Sequence, residues 1–286
     1  MVKYSVCVCN YNMADTVEES LRSILNQLDD RFEMVVVDDG STDGSLSILN
    51  RLESEYEKLR VVIGDNSNLA EARNQSFEVA KGDYILESLD TDDVYGDGIQ
   101  DFVFIFKELD SQIDRQFYLK GNSINIAPRE LLLSIPYRSL GWGEDQDFWR
   151  RLFANDAIIW LDHKPFYESI GYNYTSVDQV KLMYENQIVD LRAGISFWSL
   201  AQYIWDNWSL PAAVLYSLML VPAYFKSLNQ ERYDAPSGFE RKQDLHNAID
   251  RCSMSLSEIE DYYNITVDRS ELSQFGQRVF VNNDFI

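Results

Sequence analysis

The chain has 286 residues, and 47 Asp plus Glu against 25 Lys plus Arg give it a formal net charge of −22. With 45% apolar and 13% aromatic residues it carries enough apolar surface to fold, which excludes a disordered acidic tail. A surface with this much negative charge repels phosphate backbones, which disfavours nucleic-acid binding. The length predicts one large domain, or one domain with an appendage.

The acidic composition has a bias of its own. Asp (28) outnumbers Glu (19), and Lys supplies only 9 of the 25 basic residues. This pattern is typical of proteins from salt-loving organisms, in which salt screens the self-repulsion, although an ordinary acidic cytoplasmic protein is the alternative. Three cysteines are too few for a disulfide framework. No signal-peptide cleavage site precedes the first apolar run, so we expect a cytoplasmic location.

Apolar periodicity in the first third alternates between the period of strands and that of helices. Strands are predicted over 4–9, 33–37, 59–63 and 84–89, and helices over 16–28, 45–56 and 69–81, the last closed by Gly82. Strands and helices that alternate at this spacing form a parallel sheet covered on both faces. The predicted fold class is therefore α/β, with a Rossmann-like, mostly parallel sheet. Cys7 and Cys9 fall on one face of the first strand, where buried core residues are expected and metal binding is the alternative.

Ligands of such sheets lie beyond the carboxyl ends of the strands, and three of these ends are polar here. They are residues 10–12, 38–44 and 90–93. Helix capping accounts for single residues of this kind. Three carboxylates within four residues, at Asp90, Asp92 and Asp93, repel one another unless a cation lies between them. Hard oxygen ligands suit Mg²⁺ or Mn²⁺, and the alternative is a solvated turn.

Five ordered segments at the strand ends and helix starts carry a family likeness. They are residues 5–12, 35–44, 68–74, 82–85 and 89–93. Together they resemble glycosyltransferase family 2 and its GT-A fold, strongly over 4–95 and more loosely over 120–155. The resemblance implies transfer of a sugar from a nucleoside-diphosphate donor to a hydroxyl acceptor. Two alternatives stay open: a nucleotide-sugar or glycan-binding module without turnover, and a sugar-1-phosphate nucleotidyltransferase, whose Gly-rich basic loop is absent after the first strand.

The resemblance also implies roles for individual residues. Tyr11, with Asn12 beside it, would stack near the base, Asp39 would hydrogen-bond the base or ribose, and Arg73 would approach the nucleotide. Asp90 would lie by the ribose or metal, Asp92 would be the chief metal ligand, and Asp93 would share the metal. Two positions depart from the family pattern. Cys9 stands where the family usually has proline, and the glycine that often follows the position of Asn68 is missing.

The second half should supply the acceptor site. Glu144 and Asp145 resemble the Glu-Asp motif of the family, which implies that Asp145 removes the proton of the acceptor hydroxyl in an inverting transfer. A charged first helical turn is the alternative. Trp142 would stack on an acceptor sugar or anchor the loop. Arg150 and Arg151 would reach phosphate or form ion pairs on their helix.

The last third contains an apolar stretch at 207–225. A helix that starts at Pro211 would be about 22 Å long at ~1.5 Å per residue, short of a hydrocarbon layer of ~30 Å. We therefore expect contact with the membrane interface, or a buried or dimer-forming helix. His163 and His246 are read as structural residues. The expected divisions are 1–95 for the donor half, 96–180 for the acceptor half and 181–286 for a helical region.

The acceptor itself is inferred by analogy. The salt-adapted composition and the apolar stretch suggest assembly of a lipid-linked glycan, as in haloarchaeal N-glycosylation of surface proteins, at the inner face of the cell membrane.

Overall fold

The computed structural model describes residues 2–66, 68–141, 143–171 and 175–281. The strands are β1 Tyr4–Asn10, β2 Phe32–Asp38, β3 Leu59–Ile63, β4 Tyr84–Glu87, β5 Asp93–Tyr95, β6 Tyr118–Lys120, β7 Asn125–Pro128, β8 Ile158–Leu161, β9 Tyr167–Ser169 and β10 Ser253–Met254. The helices are α1 Val17–Leu25, α2 Ser45–Glu55, α3 Leu69–Val79, α4 Ile99–Gln112, α5 Arg129–Ser134, α6 Glu144–Ala154, α7 Ser176–Arg192, α8 Phe197–Asn207, α9 Leu210–Leu228, α10 Lys242–Cys252, α11 Leu256–Tyr263 and α12 Gln274–Gly276. A 3₁₀ turn, Arg269–Glu271, precedes α12, and a π turn, Gln277–Val281, follows it.

Eight strands form one central sheet in the order β10-β8-β6-β7-β4-β1-β2-β3. All neighbours pair in parallel except β7, which runs antiparallel to both β4 and β6. The predicted α/β class with a mostly parallel sheet is therefore confirmed. Because β1, β2 and β4 are adjacent and parallel, their carboxyl ends meet at one edge of the sheet.

Side chains alternate across the sheet and define a core on each face. Val6, Val8 and Val36 pack with α1, α2 and α4 on one face. Cys7 and Val35 pack with α3, α5 and α6 on the other. Burial raises the pKa of the Cys7 thiol and raises that of Cys9 to about 12, so both thiols stay neutral. Cys7 serves as a core residue, as the sequence favoured, whereas Cys9 is only partly buried and lines a pocket.

Most predicted bounds agree with the structure to within a few residues, and the largest differences have local causes. Helix α1 ends at Leu25 and not at Leu28. Strand β4 ends at Glu87 because Ser88 takes a positive φ of 66°. Gly82 does not close α3, which ends at Val79. A Cβ on Gly82 would lie 2.7 Å from the Ser5 nitrogen, so this glycine permits close packing against β1.

The C-terminal part contributes to two different cores. Helices α7, α8 and α9 bury Leu191, Leu200 and Leu220 against one another in a cluster of their own. Beyond them, β10 pairs with β8 in the central sheet, and Phe280 is buried in the main core. Residues 253–281 thus pack on the sheet, and the divisions at 95 and 180 stay predictions.

Helix α9 begins one residue before Pro211 and continues through Pro222 to Leu228. At 19 residues it is longer than the sequence predicted, and among the described residues it alone has the length and composition of a membrane-crossing helix. Only 22% of its apolar stretch is buried, and the buried residues, among them Ala213, Leu220 and Ala223, pack on α7 and α8, so α9 is not a fully buried core helix. Membrane contact and dimer formation remain as interpretations.

Candidate active site

Two loops join where β1 and β2 end. The side-chain oxygen of Asn12 accepts a hydrogen bond from the Thr42 nitrogen at 2.8 Å, and the Asn12 nitrogen donates to Ser41 Oγ at 2.9 Å. Asn12 takes the left-handed conformation, with φ 54°, that allows this bridge. Buried Asp38 accepts from Asn10 Nδ2 at 2.7 Å. Asn12 and Asp38 therefore hold the two loops together.

Tyr11 and Asp39 are brought side by side, because Asn10 and Asp38 pair across β1 and β2 and each is followed by one of them. The Tyr11 ring is 59% exposed. Asp39 Oδ1 accepts from both the backbone and the side-chain nitrogen of Asn66, each at 2.9 Å. The arrangement offers a free aromatic face next to an oriented carboxylate, which are the groups that a base and a ribose require.

The acidic loop after β4 lies at the same edge of the sheet. The Asp90 backbone is fixed, since its nitrogen donates to Tyr95 Oη at 2.8 Å and its carbonyl accepts from Ser20 Oγ at 2.9 Å. Asp90 is open to solvent, yet protein atoms crowd its carboxyl group. This partial desolvation raises its pKa to about 6; the charges of Asp92 and Asp93 add to the rise and Arg73 opposes it.

The three carboxylates of this loop are not equivalent. Asp92 is half-buried, and its carbonyl accepts from the Ile170 nitrogen at 2.8 Å. Asp93 is buried in β5 opposite Ser169. Burial raises the pKa of Asp93, while a hydrogen bond from Ser169 opposes the rise. In the described parts of the chain no three His, Cys, Asp or Glu side chains converge as a metal cluster. Asp90 and Asp92 are the more accessible of the three carboxylates, and they would fit Mg²⁺ or Mn²⁺ with phosphate oxygens and water to complete the shell; whether Asp93 shares the metal stays a prediction.

Arg73 on α3 connects the end of β4 to the start of α6. Its Nη1 lies 3.1 Å from Glu144 Oε1, its Nε lies 4.0 Å from Glu87 Oε2, and its guanidinium stacks 5.1 Å from the Tyr137 ring centroid. Glu144 is 4% exposed. Burial raises its pKa to about 7, with Asp145 adding to the rise and Arg73 opposing it. Asp145 is more accessible and accepts only from its neighbour Gln146 at 2.8 Å among the bonds described.

Glu87 was not singled out from the sequence. It is 1% exposed at the end of β4 and accepts from Tyr118 Oη, from Asn125 Nδ2 at 2.8 Å and from Tyr137 Oη at 3.3 Å. With Arg73 and Asp90 it lines a pocket that also includes Cys7, Cys9, Leu69, Ser88 and Leu89. The signal that could have revealed it is a single carboxylate inside the otherwise apolar strand 84–89.

Lys120 was also missed, because no strand was predicted at 118–120. Its ammonium group donates to the Gly121 carbonyl and lies 5.3 and 4.9 Å from the ring centroids of Trp149 and Trp160. Burial lowers its pKa to about 8, while Glu87 and Asp145 oppose the shift. Lys120 therefore is a buried cation whose charge interacts with those of Glu87 and Asp145.

The remaining candidates have structural roles. Arg151 pairs with Asp147 of its own helix at 2.9 Å, as the ion-pair interpretation has it. Arg150 is fully buried and pairs at 2.8 Å with Asp190 on α7, so its ion pair joins two helices and does not lie on its own. His163 accepts from the Asn122 nitrogen at 2.8 Å, and burial lowers its pKa to about 4. His246 stacks on Tyr203. Trp142 lies outside the described residues.

An aromatic face, oriented carboxylates and an acidic loop at one edge of a mostly parallel α/β sheet define the class as a nucleotide-binding α/β protein. The family model described as "Glycosyl transferase family 2" matches residues 5–151, which is 147 of the 286 positions. The chain belongs to glycosyl transferase family 2, as its motifs implied.

Curated relatives match part of the chain. A putative teichuronic acid biosynthesis glycosyltransferase, TuaG, of Bacillus subtilis is 42% identical over 90 residues, which is 31% of this chain and 35% of the relative. A cholesterol galactosyltransferase of Borreliella burgdorferi is 28% identical over 132 residues, which is 46% of this chain and 37% of the relative. The chain thus spans little more than a third of the length of these two relatives.

Solved structures show the same fold at low identity. A mannosyltransferase from Pyrobaculum calidifontis in complex with GDP-Man and Mn²⁺ aligns with a TM-score of 0.53 and 18% identity, over 79% of this chain and 74% of that one. Glucosyl-3-phosphoglycerate synthase from Mycobacterium tuberculosis, with Mn²⁺, UDP-glucose and phosphoglyceric acid, aligns at 0.52 and 19%, over 68% and 81%. The fold is therefore of the GT-A type.

Proposed function

We propose that the chain transfers a sugar from a nucleoside-diphosphate donor to a hydroxyl acceptor with inversion at the anomeric carbon. One observation carries the proposal: Tyr11, Asp39 and the Asp90–Asp92 pair follow β1, β2 and β4 respectively, three adjacent parallel strands, at a single edge of the sheet. Ligands of open α/β sheets bind at this edge. Membership of the family supports the same reaction.

Donor binding is assigned to the groups along that edge. Tyr11 offers its exposed ring to the base, and Asp39 has its carboxylate oriented by Asn66 toward a base or ribose hydrogen-bond donor. Asn12 supports this pair by bridging the two loops. Arg73 lines the pocket with Asp90 and balances the charges of Glu87 and Glu144.

Asp92, with Asp90, is assigned to hold Mg²⁺ or Mn²⁺ against the donor diphosphate, and buried Asp93 supports the loop from β5. A divalent ion at this place neutralises charge on the leaving diphosphate. It would also screen the phosphates from a protein with a net charge of −22. The mannosyltransferase structure with GDP-Man and Mn²⁺ supports this assignment by analogy.

Asp145 is assigned as the general base. Its carboxylate accepts the proton of the acceptor hydroxyl while that oxygen bonds to the anomeric carbon and the bond from this carbon to the diphosphate oxygen breaks. Glu144 is buried and paired with Arg73, so it fixes the start of α6 and leaves Asp145 as the accessible carboxylate. The mechanism needs one such group on the face opposite the leaving diphosphate.

A panel of nucleotide sugars with Mn²⁺, Mg²⁺ or EDTA tests the proposal through thermal stabilisation and product formation. We expect one donor to stabilise the protein only when metal is present. Asp92→Ala should lose this response, whereas Asp145→Asn should keep it and form no product. Stabilisation without any product in the wild type would favour a binding module, and no stabilisation by any nucleotide would contradict the proposal.

The acceptor is proposed to be a lipid-linked glycan, reached from a membrane surface. Between Ala193 and Phe225 the chain has one charged residue, Asp206. Helix α9 exposes apolar side chains at helical spacing and therefore along one of its own faces, and α8 exposes tryptophans, with Trp198 78% exposed. Together we call these exposed side chains the apolar face. The exposed members of this apolar face are Trp198, Trp205, Trp208, Leu210, Val214, Leu215, Leu218, Val221, Phe225 and Leu228. Exposed tryptophans beside an aliphatic stripe favour the headgroup region of a bilayer.

Flotation with phosphatidylcholine and phosphatidylglycerol vesicles tests this contact. Wild type should float with the vesicles, and the double variant Trp198→Ser with Leu218→Glu should not. Tyr262→Glu is the matched control, since Tyr262 is 73% exposed on α11, outside the apolar face. A dimer in solution that the double variant abolishes, without any flotation of wild type, would assign the face to a second copy.

The acidic surface supports the proposal that this protein functions at high salt, as expected for a member of a haloarchaeal glycosylation pathway. Screening of the self-repulsion should raise the melting temperature as KCl increases from 0.1 to about 2 M. A melting temperature that is independent of KCl would favour the ordinary acidic protein.

A further inference from the structure

The acidic loop is held by a strand that the family match does not include. Strand β5 pairs antiparallel with β9, with Asp93 opposite Ser169 and Tyr95 opposite Tyr167. One step further, the Ile170 nitrogen donates to the Asp92 carbonyl at 2.8 Å. The match ends at residue 151, so the backbone beside the proposed metal ligand comes from outside it.

Gly171, the next residue, packs directly on the Asp92 side chain. A Cβ at Gly171 would lie 2.4 Å from both Cβ and Oδ2 of Asp92, well inside van der Waals contact. Gly171 does not have a positive φ, so its backbone does not by itself require glycine. The missing side chain is what lets the Asp92 carboxylate occupy its position.

The far end of this two-stranded ribbon is packed by the C-terminal segment 273–281. A Cβ at Gly96 would lie 2.7 Å from Phe275 Cζ, and a Cβ at Gly98 would lie 3.0 Å from the Phe166 ring. The rings of Phe275 and Phe280 lie 6.4 and 5.9 Å from that of Phe166. These two glycines therefore admit the aromatic rings that hold the ribbon in place.

We propose that Gly171 is a positioning residue for Asp92, and that segment 273–281 keeps Gly171 in place by packing on the β5–β9 ribbon. The inference rests on the proposed metal role of Asp92. Mg²⁺ and Mn²⁺ require oxygen ligands at closely defined distances, so displacement of one carboxylate weakens binding even when the fold is intact.

The test measures Mn²⁺ affinity by titration in the presence of UDP, together with the melting temperature without metal. Gly171→Ala should weaken Mn²⁺ binding roughly tenfold or more while the metal-free melting temperature changes little. Wild-type affinity in Gly171→Ala would overturn the proposal.

Phe275→Ala provides a second variant in case Gly171→Ala fails to fold. It should weaken Mn²⁺ binding about threefold. Phe239→Ala, which removes a half-buried ring stacked on Phe153 away from the ribbon, should leave Mn²⁺ affinity unchanged. Equal effects of the two Phe variants would overturn the role of the segment. If wild type binds no Mn²⁺ with any nucleotide, the proposed function fails and this inference fails with it; wild-type binding that the variants do not alter rejects this inference alone.

Discussion

The candidate site contains two acidic clusters that differ in how their charge is balanced. The open cluster, Asp90 and Asp92, is accessible to solvent and has like charges as close neighbours. The closed cluster, Glu87 and Glu144, is buried around Arg73 and receives hydrogen bonds from tyrosines and an asparagine. The closed cluster is neutralised by Arg73 from within the fold, whereas Arg73 offsets the charges of the open cluster only in part. The difference teaches that burial and internal pairing suit the closed cluster to a role in the fold, and that the proposed ligand and metal role belongs to the open one.

The largest expected effect is on the rate of transfer, and it concerns Asp145, which belongs to neither acidic cluster. Asp145→Asn should reduce transfer by about 10³-fold, because the acceptor hydroxyl then lacks a proton acceptor. Donor affinity and melting temperature should stay near wild type, since Asp145 accepts a hydrogen bond only from its neighbour among the described bonds. Product formation at saturating donor is the measurement, and retained activity would move the base to another residue.

Removal of the central cation of the closed cluster should cost stability. Arg73→Met leaves buried Glu144 without its counter-charge and leaves Glu87 with Lys120 as the nearby cation, and we expect a loss of about 3 kcal/mol in the free energy of unfolding by urea. Arg51→Met, which breaks the exposed pair with Glu18, is the control and should have a much smaller effect. A second change, Glu144→Gln, should restore part of the loss. No loss in Arg73→Met would show that the cluster is not internally balanced.

Substitution of Tyr11 tests donor binding without a change in either acidic cluster. Tyr11→Ala should raise the KM for the donor about tenfold, because stacking of a base on an aromatic ring contributes ~1–3 kcal/mol. Tyr11→Phe should keep the wild-type KM. Neither change should alter the melting temperature of the protein, because the Tyr11 side chain is largely exposed. A higher KM in Tyr11→Phe would instead indicate a hydrogen bond from the hydroxyl group.

The last expected effect is the pH dependence of the closed cluster. Burial raises the pKa of Glu144 to about 7, above its ordinary value, so the folded state holds a proton that the unfolded state releases. This stability is present below about pH 4.5 and is lost as the pH rises through about 7. Glu144→Gln should flatten the unfolding free energy of metal-free protein between pH 5 and 8. Glu18→Gln is the control, since its arginine partners lower the Glu18 pKa to about 2, outside that window. An unchanged slope in Glu144→Gln would contradict the assignment.

The sequence predicted the first half of the fold well because its pattern is local. Strand β3 was predicted without error, and the polar ends of β1, β2 and β4 pointed to the edge where the candidate site lies. Glu87 and Lys120 were missed because a charged residue in or beside an apolar strand has no local pattern that shows its partners. Those partners, Arg73, Tyr118 and Trp160, come from elements far apart in the chain.

By itself the sequence determined the α/β class, the family and the acidic loop, since periodicity and motif spacing are properties of short segments. Tertiary structure decided which carboxylates are closed and which are open, because burial depends on what the rest of the chain brings against each group. It also decided that β9 and segment 273–281 pack on the acidic loop and its ribbon. No local pattern in the last third indicates that contact, which forms only when distant segments meet.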